Sequence, residues 1–168
     1  MGGSVSDDPT MSCVWCGEVP TLRGGAWRCE DATCPRWGSL LVYTARIGAA
    51  GLDITRKSAS GTGLLFAPSW SILTPAIEAR HSGDPAREAA AWEAYIPAYL
   101  AEMRASYRAH RPAWQALFAR GKVTLLCYCT DPERCHRTLL ARDILPKLGA
   151  VYMGEHRSPQ LGLFGGAR

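Results

Sequence analysis

No stretch of this 168-residue sequence stays apolar for the roughly 18 residues that a membrane-spanning helix needs. Its first ten residues, MGGSVSDDPT, lack the basic-then-apolar plan of a signal peptide. The chain is therefore expected to be soluble and cytoplasmic, with no membrane partner. Charge is also sparse: 20% of residues are charged against 47% hydrophobic, the balance of a folded chain with one ordinary core and a small appendage. Neither sign dominates, since 19 basic and 15 acidic residues leave +4. That balance accommodates DNA or a nucleotide as partner without requiring either. Cysteine, by contrast, is abundant at seven residues. With no export signal, and with the cysteines in pairs, they point to metal ligation and reduced thiols rather than disulfides.

Four of the seven form the first unit. Cys13 and Cys16 are a C-x2-C pair, and twelve residues later Cys29 and Cys34 form C-x4-C. Between the pairs, Val19 to Leu22 and Ala26 to Arg28 flank an Arg23-Gly24-Gly25 turn, the pattern of a small hairpin. This is the layout of a zinc ribbon over residues 11–38, after a flexible leader at 1–10. One structural Zn2+ held by Cys13, Cys16, Cys29 and Cys34 is expected, because so short a segment has too little apolar area to fold alone. On the hairpin, Arg23, Trp27 and Arg28 mix guanidinium and aromatic faces suited to nucleic acid or to a protein interface.

The remaining cysteines lie in GKVTLLCYCTDPERCHR, residues 121–137. Val123 to Tyr128 is a compact apolar run of the kind a buried parallel strand shows. Thr130 and Glu133 then have the spacing of a capping box, with Pro132 suited to a first helical turn, so the pattern predicts strand, tight turn, helix. Three readings of Cys127, Cys129, Cys135 and His136 follow. A thiol at a helix start beside Arg137 can act as a nucleophile with His136 as acid or base, while Arg137 holds a phosphate. Alternatively the three cysteines and His136 bind a metal. Or the thiols simply fill the core.

LLCYC, five residues and CHR, with LDITRKS, FAPSW and GAVYMGE elsewhere, resemble the family known as domain of unknown function 488, over about Val42 to Glu155. The resemblance implies site residues at Asp53, Cys127, Cys135, His136 and Arg137. Thr55 stands where many relatives carry arginine, so Arg56 is expected to share the phosphate-binding work with Arg137.

Around the turn, Leu40 to Ile47 and Leu52 to Thr55 read as strands. Helices are expected over Ser71 to Arg80, from Asp84 through Ala109 with a kink or restart at Pro97, over Pro112 to Arg120, and over Thr138 to Leu148 with an interruption near Pro146. Val151 to Met153 reads as a last strand. The fold expected for residues 39–157 is α/β, a small mainly parallel sheet flanked by helices, with the zinc ribbon before it. Residues 158–168 form a glycine-rich tail in which Gln160, Leu161, Leu163 and Phe164 resemble the QLxLF peptide that binds the bacterial sliding clamp. Together these readings describe a DNA-associated protein of replication or repair. It would be recruited by its tail and would bind or process a nucleotide or DNA phosphate through Asp53, Cys135, His136, Arg137 and Arg56. The alternative is a non-catalytic zinc-ribbon adapter.

Overall fold

The computed structural model describes residues 21–23, 26–28 and 40–156. The metal ligands expected at Cys13, Cys16, Cys29 and Cys34, and the tail residues Gln160, Leu161, Leu163 and Phe164, lie outside the described residues. Between the cysteine pairs, β1 (Thr21–Arg23) and β2 (Ala26–Arg28) do form an antiparallel hairpin. Its register places Thr21 opposite Arg28 and Arg23 opposite Ala26.

The larger unit is an α/β fold. Four strands, β3 (Leu41–Arg46), β4 (Leu52–Asp53), β5 (Lys122–Cys127) and β6 (Val151–Glu155), make a sheet in the order β4-β5-β3-β6. Every pairing is parallel. On β5, Val123, Leu125, Leu126 and Cys127 are all buried, covering both faces of the strand. This explains its unbroken apolar run, because a strand enclosed on two sides has no use for alternation.

Parallel strands need long crossovers, and the helices supply them. Between β4 and β5 the chain runs through a 3-10 turn (Gly61–Phe66), α1 (Trp70–His81), α2 (Pro85–Ala109) and α3 (Arg111–Phe118). Asp84 caps α2 by accepting from the N–H groups of Ala86 and Arg87 at 2.9 and 3.3 Å. Tyr95, Tyr99 and Met103 follow at four-residue steps and are buried, so one stripe of α2 faces the core. There they meet Phe66, Trp114, Val42, Leu125 and Leu140. Burying each large apolar side chain contributes about 1.5–3 kcal/mol. Tyr99 keeps its hydroxyl satisfied by donating to the Phe66 carbonyl at 2.7 Å.

Three expectations about the helices change. Pro97 does not restart α2, which runs unbroken past it. Its ring sits on the exposed face, and the carbonyl of exposed Glu93 that would have received its N–H can bond water instead. The capping box at Thr130 and Glu133 does not close. Asp131 accepts from the Glu133 N–H at 2.9 Å, which makes a local turn, and Glu133 reaches Arg142 at 3.1 Å. The helix begins only at α4 (His136–Thr138), with Cys135 in extended conformation at its N-cap. From there the chain widens into a π-helical stretch (Leu139–Ile144) and tightens to a 3-10 turn (Leu145–Leu148). The apolar segment is thus remodelled before Pro146 as well as at it. Gly149, with φ 98°, ends it in the left-handed conformation that favours glycine.

Candidate functional site at the carboxyl ends of the strands

In an open parallel sheet, ligands meet the protein beyond the carboxyl ends of the strands. Here β4 ends at Asp53 and β5 at Cys127, side by side in the sheet. The segment after β4 is held by its own hydrogen bonds. Asp53 accepts from the Thr55 N–H through Oδ1 at 2.8 Å and from the Ser58 hydroxyl through Oδ2 at 2.6 Å. Burial works against the Asp53 charge, but the bonds from Ser58 and Thr55 outweigh it and hold the carboxyl below its ordinary range. Tyr128 in turn donates to Ser58 Oγ at 3.0 Å. Arg56 donates to the carbonyls of Pro68 and Ala67 at 2.6 and 3.1 Å, tying this segment to the start of α1. Thus Asp53 and Arg56 brace a loop.

The Cys-His-Arg turn forms the other half. His136 is 5% exposed and its Nε2 lies 2.9 Å from the Ile54 carbonyl oxygen. A carbonyl can only accept, so Nε2 carries the proton and Nδ1 keeps a lone pair. That lone pair faces Cys127 Sγ at 3.8 Å. Burial pushes the His136 pKa down, which favours the neutral ring. Cys127 Sγ is 3.6 Å from Cys129 Sγ, and the sulfurs of Cys127, Cys129 and Cys135 all lie within 4.8 Å of one another. Three thiols so close can hold a metal ion. Hydrogen bonds from Cys129 and Cys135 lower the pKa of the Cys127 thiol, while burial raises that of Cys135.

Arg137 is fully buried. Its Nη1 donates to the Cys129 carbonyl at 2.9 Å and lies 3.5 Å from Cys135 Sγ, and its Nη2 pairs with Glu155 at 2.8 Å. Both terminal nitrogens therefore serve the turn itself. Its Nε and the second Glu155 oxygen are buried with no hydrogen-bond partner. Glu155, at the end of β6, was not among the residues singled out by chemistry in the sequence. The signal available for it was its place as the acid closing the GAVYMGE strand.

Over this floor opens a cavity of about 460 Å³ that includes Cys127, Cys129, Cys135 and His136 in its lining. Its walls carry Trp92 and Tyr95 from α2. Two aromatic side chains of the same cavity, Trp70 and Tyr128, are 53% and 48% exposed. Lys57, Arg80 and Arg134 add positive charge around them. Of the two wall residues from α2, Tyr95 is buried and Trp92 half-buried. Arg134 escaped notice because it lies inside the expected helix start. In the structure it sits in the turn before α4 and reaches Glu88 of α2 at 3.4 Å.

The structure thus brings Cys127, Cys129, Cys135, His136 and Arg137 together. Asp53 joins them indirectly, one residue from the carbonyl that holds His136. Among the described residues no helix is long and apolar enough to cross a membrane. The family profile described as DUF488-N3a, the active DUF488-N3 subclade, matches residues 43–148. No curated protein and no solved structure matches the chain.

Proposed function

Since this chain belongs to the DUF488 family, whose name specifies no reaction, its function has to be argued from its own site, and we propose that the site binds and processes a nucleotide or the phosphate-bearing end of DNA. The observation that carries this reading is the mouth of the cavity, where exposed Trp70 and Tyr128 stand among Lys57, Arg80 and Arg134. Large aromatic faces left in water beside cations suit a base and its phosphate, and stacking on one such ring is worth about 1–3 kcal/mol per base. In this reading Arg134 and Lys57 take the phosphate. Arg56, expected from sequence to do so, positions the loop at the rim, and Asp53 positions it from below. The thiol cluster and His136 supply the reactive floor, and Arg137 keeps that floor in place.

The wider reading extends to the residues at either end. Zinc on Cys13, Cys16, Cys29 and Cys34 folds the ribbon, and Gln160, Leu161, Leu163 and Phe164 bring the protein to a sliding clamp at replicating or repaired DNA in the cytoplasm. The adapter alternative draws on one observation: Arg137 and His136 are spent on internal partners, as they would be in a turn that only completes the core.

One titration separates the two. Deoxynucleoside monophosphates and a short 5′-phosphorylated single strand are added to the full chain while tryptophan fluorescence is followed. The enzyme reading expects saturable quenching that weakens about tenfold in Trp70→Ala and again in Arg134→Ala, each change removing roughly 1–2 kcal/mol. If the wild type binds none of these probes at millimolar concentration, the adapter reading replaces it.

A further inference from the structure

We propose that Cys127, Cys129 and Cys135 are the ligands of a zinc ion, distinct from any in the ribbon, with its remaining coordination position open to the cavity. The inference deepens the account of the cavity floor, but it stands on the cluster's own geometry. Thiolates about 2.3 Å from a tetrahedral zinc lie about 3.8 Å from one another. Cys127 and Cys129 are already 3.6 Å apart, and all three sulfurs fall within 4.8 Å. Little movement is needed to converge on a single ion, and sulfurs this close do not span a cluster of several irons.

The way the chain delivers these sulfurs supports the assignment. Cys127 ends β5, and Cys129, two residues on, returns to the same side. Cys135 enters from the opposite arm of the turn because its backbone stays extended, at φ −141° and ψ 136°, before α4 begins. The failed capping box therefore has a use: an earlier helix would have carried Cys135 away from this approach. A buried cation stands beside the cluster. Three thiolates and Zn2+ leave one negative charge, and the Arg137 guanidinium, which also pairs with Glu155, stands 3.5 Å from Cys135 Sγ.

His136 contributes a second, independent sign. A histidine that ligates a metal commonly fixes its other ring N–H on a carbonyl. His136 has that arrangement, donating from Nε2 to Ile54 and turning its Nδ1 lone pair toward Cys127 Sγ. Its Nδ1 is 3.8 Å from Cys127 Sγ, beside the three sulfurs rather than among them. All four side chains line the cavity, the space through which a ligand would reach the ion. Three protein ligands with an open fourth position is the plan of zinc sites that do chemistry rather than hold a fold.

The test counts metal in the full chain, produced with zinc in the medium. Wild-type protein should carry one more zinc per chain than Cys129→Ser, the substitution at the least buried of the three cysteines. The paired ribbon change Cys13→Ser with Cys16→Ser should keep the cavity zinc. Loading that ribbon variant with Co2+ should produce an intense sulfur-to-cobalt charge-transfer band, which Cys135→Ser weakens. Equal zinc in wild type and Cys129→Ser, or a ribbon variant that takes up no cobalt with sulfur coordination, overturns the site. Nucleotide binding is read separately by fluorescence, so loss of the metal site and loss of the ligand reading are distinguishable.

Discussion

Replacing Arg137 by methionine separates a structural guanidinium from a ligand-binding one. Methionine keeps most of the apolar stem but removes the charge and every donor. The Cys129 carbonyl then loses the N–H that reaches it at 2.9 Å, an unsatisfied acceptor costing about 1–3 kcal/mol. Glu155 loses its 2.8 Å partner as well. Breaking a fully buried pair from one side costs about 3–5 kcal/mol, but the Glu155 side chain is 23% exposed and recovers part of this from water. Together these suggest a loss of about 3–4 kcal/mol. With a urea dependence of about 2 kcal/mol per molar, the unfolding midpoint should fall by roughly 1.5–2 M. Glu155→Gln keeps an acceptor for Nη2 but leaves the fully buried guanidinium without its counter-charge, and should lose about 3 kcal/mol. The measurement is urea unfolding followed by circular dichroism, with nucleotide titration of the folded variant alongside. A midpoint within about 0.3 M of wild type, together with abolished nucleotide binding, would refute the reasoning and return Arg137 to the ligand.

Gly63→Ala should be among the most damaging small changes, lowering stability by several kcal/mol, of order 3, in the same urea assay. A Cβ there runs into the backbone carbonyl oxygen of Asp53, which cannot swing aside as a flexible side chain would. Asp53 itself should give an acid limb to stability. Its folded pKa lies below its ordinary value of 3.8, so its contribution is complete above the unfolded value and is lost as pH falls through the folded one. The stability gap between wild type and Asp53→Asn should therefore shrink below about pH 4, and a gap constant with pH would show that Asp53 is not braced as a carboxylate. For the tail, calorimetric titration into a bacterial sliding clamp should show binding that Leu163→Ala with Phe164→Ala abolishes. Binding unchanged by that double substitution would exclude the QLGLF peptide as the anchor.

How much of this was legible in the sequence depended on the range of the interactions involved. Strands β3 and β5 were found to within a residue at each end, because their apolar runs reflect burial on both faces. The helix expected from Asp84 through Ala109 was equally plain, and α2 spans Pro85–Ala109. Local signals misled where tertiary contacts outbid them. Thr130 and Glu133 have a valid capping spacing, yet Arg142 claims Glu133 and the Cys135 backbone stays extended. Pro97 was read as a kink or restart because sequence does not show which way its ring faces, and the helix does not restart there. In the site, the turn announced its cysteines and His136, but the partners that define their roles come from far along the chain. Ile54 holds His136 across 82 residues. Arg137 and Glu155 meet only because β6 lies beside β3, and no pattern within the turn encodes that pairing.

The strand order has a consequence for how the protein is made. β3 is the first strand of the sheet to leave the ribosome, yet it lies inside the sheet, between β5 and β6. Both of its hydrogen-bonding edges therefore stay bare until Lys122 and then Val151 have been synthesised. Nascent chains stalled before β5 should expose Leu41 to Arg46 as an unpaired apolar strand and engage holdase chaperones. Release should come with β5 rather than with the helices that precede it.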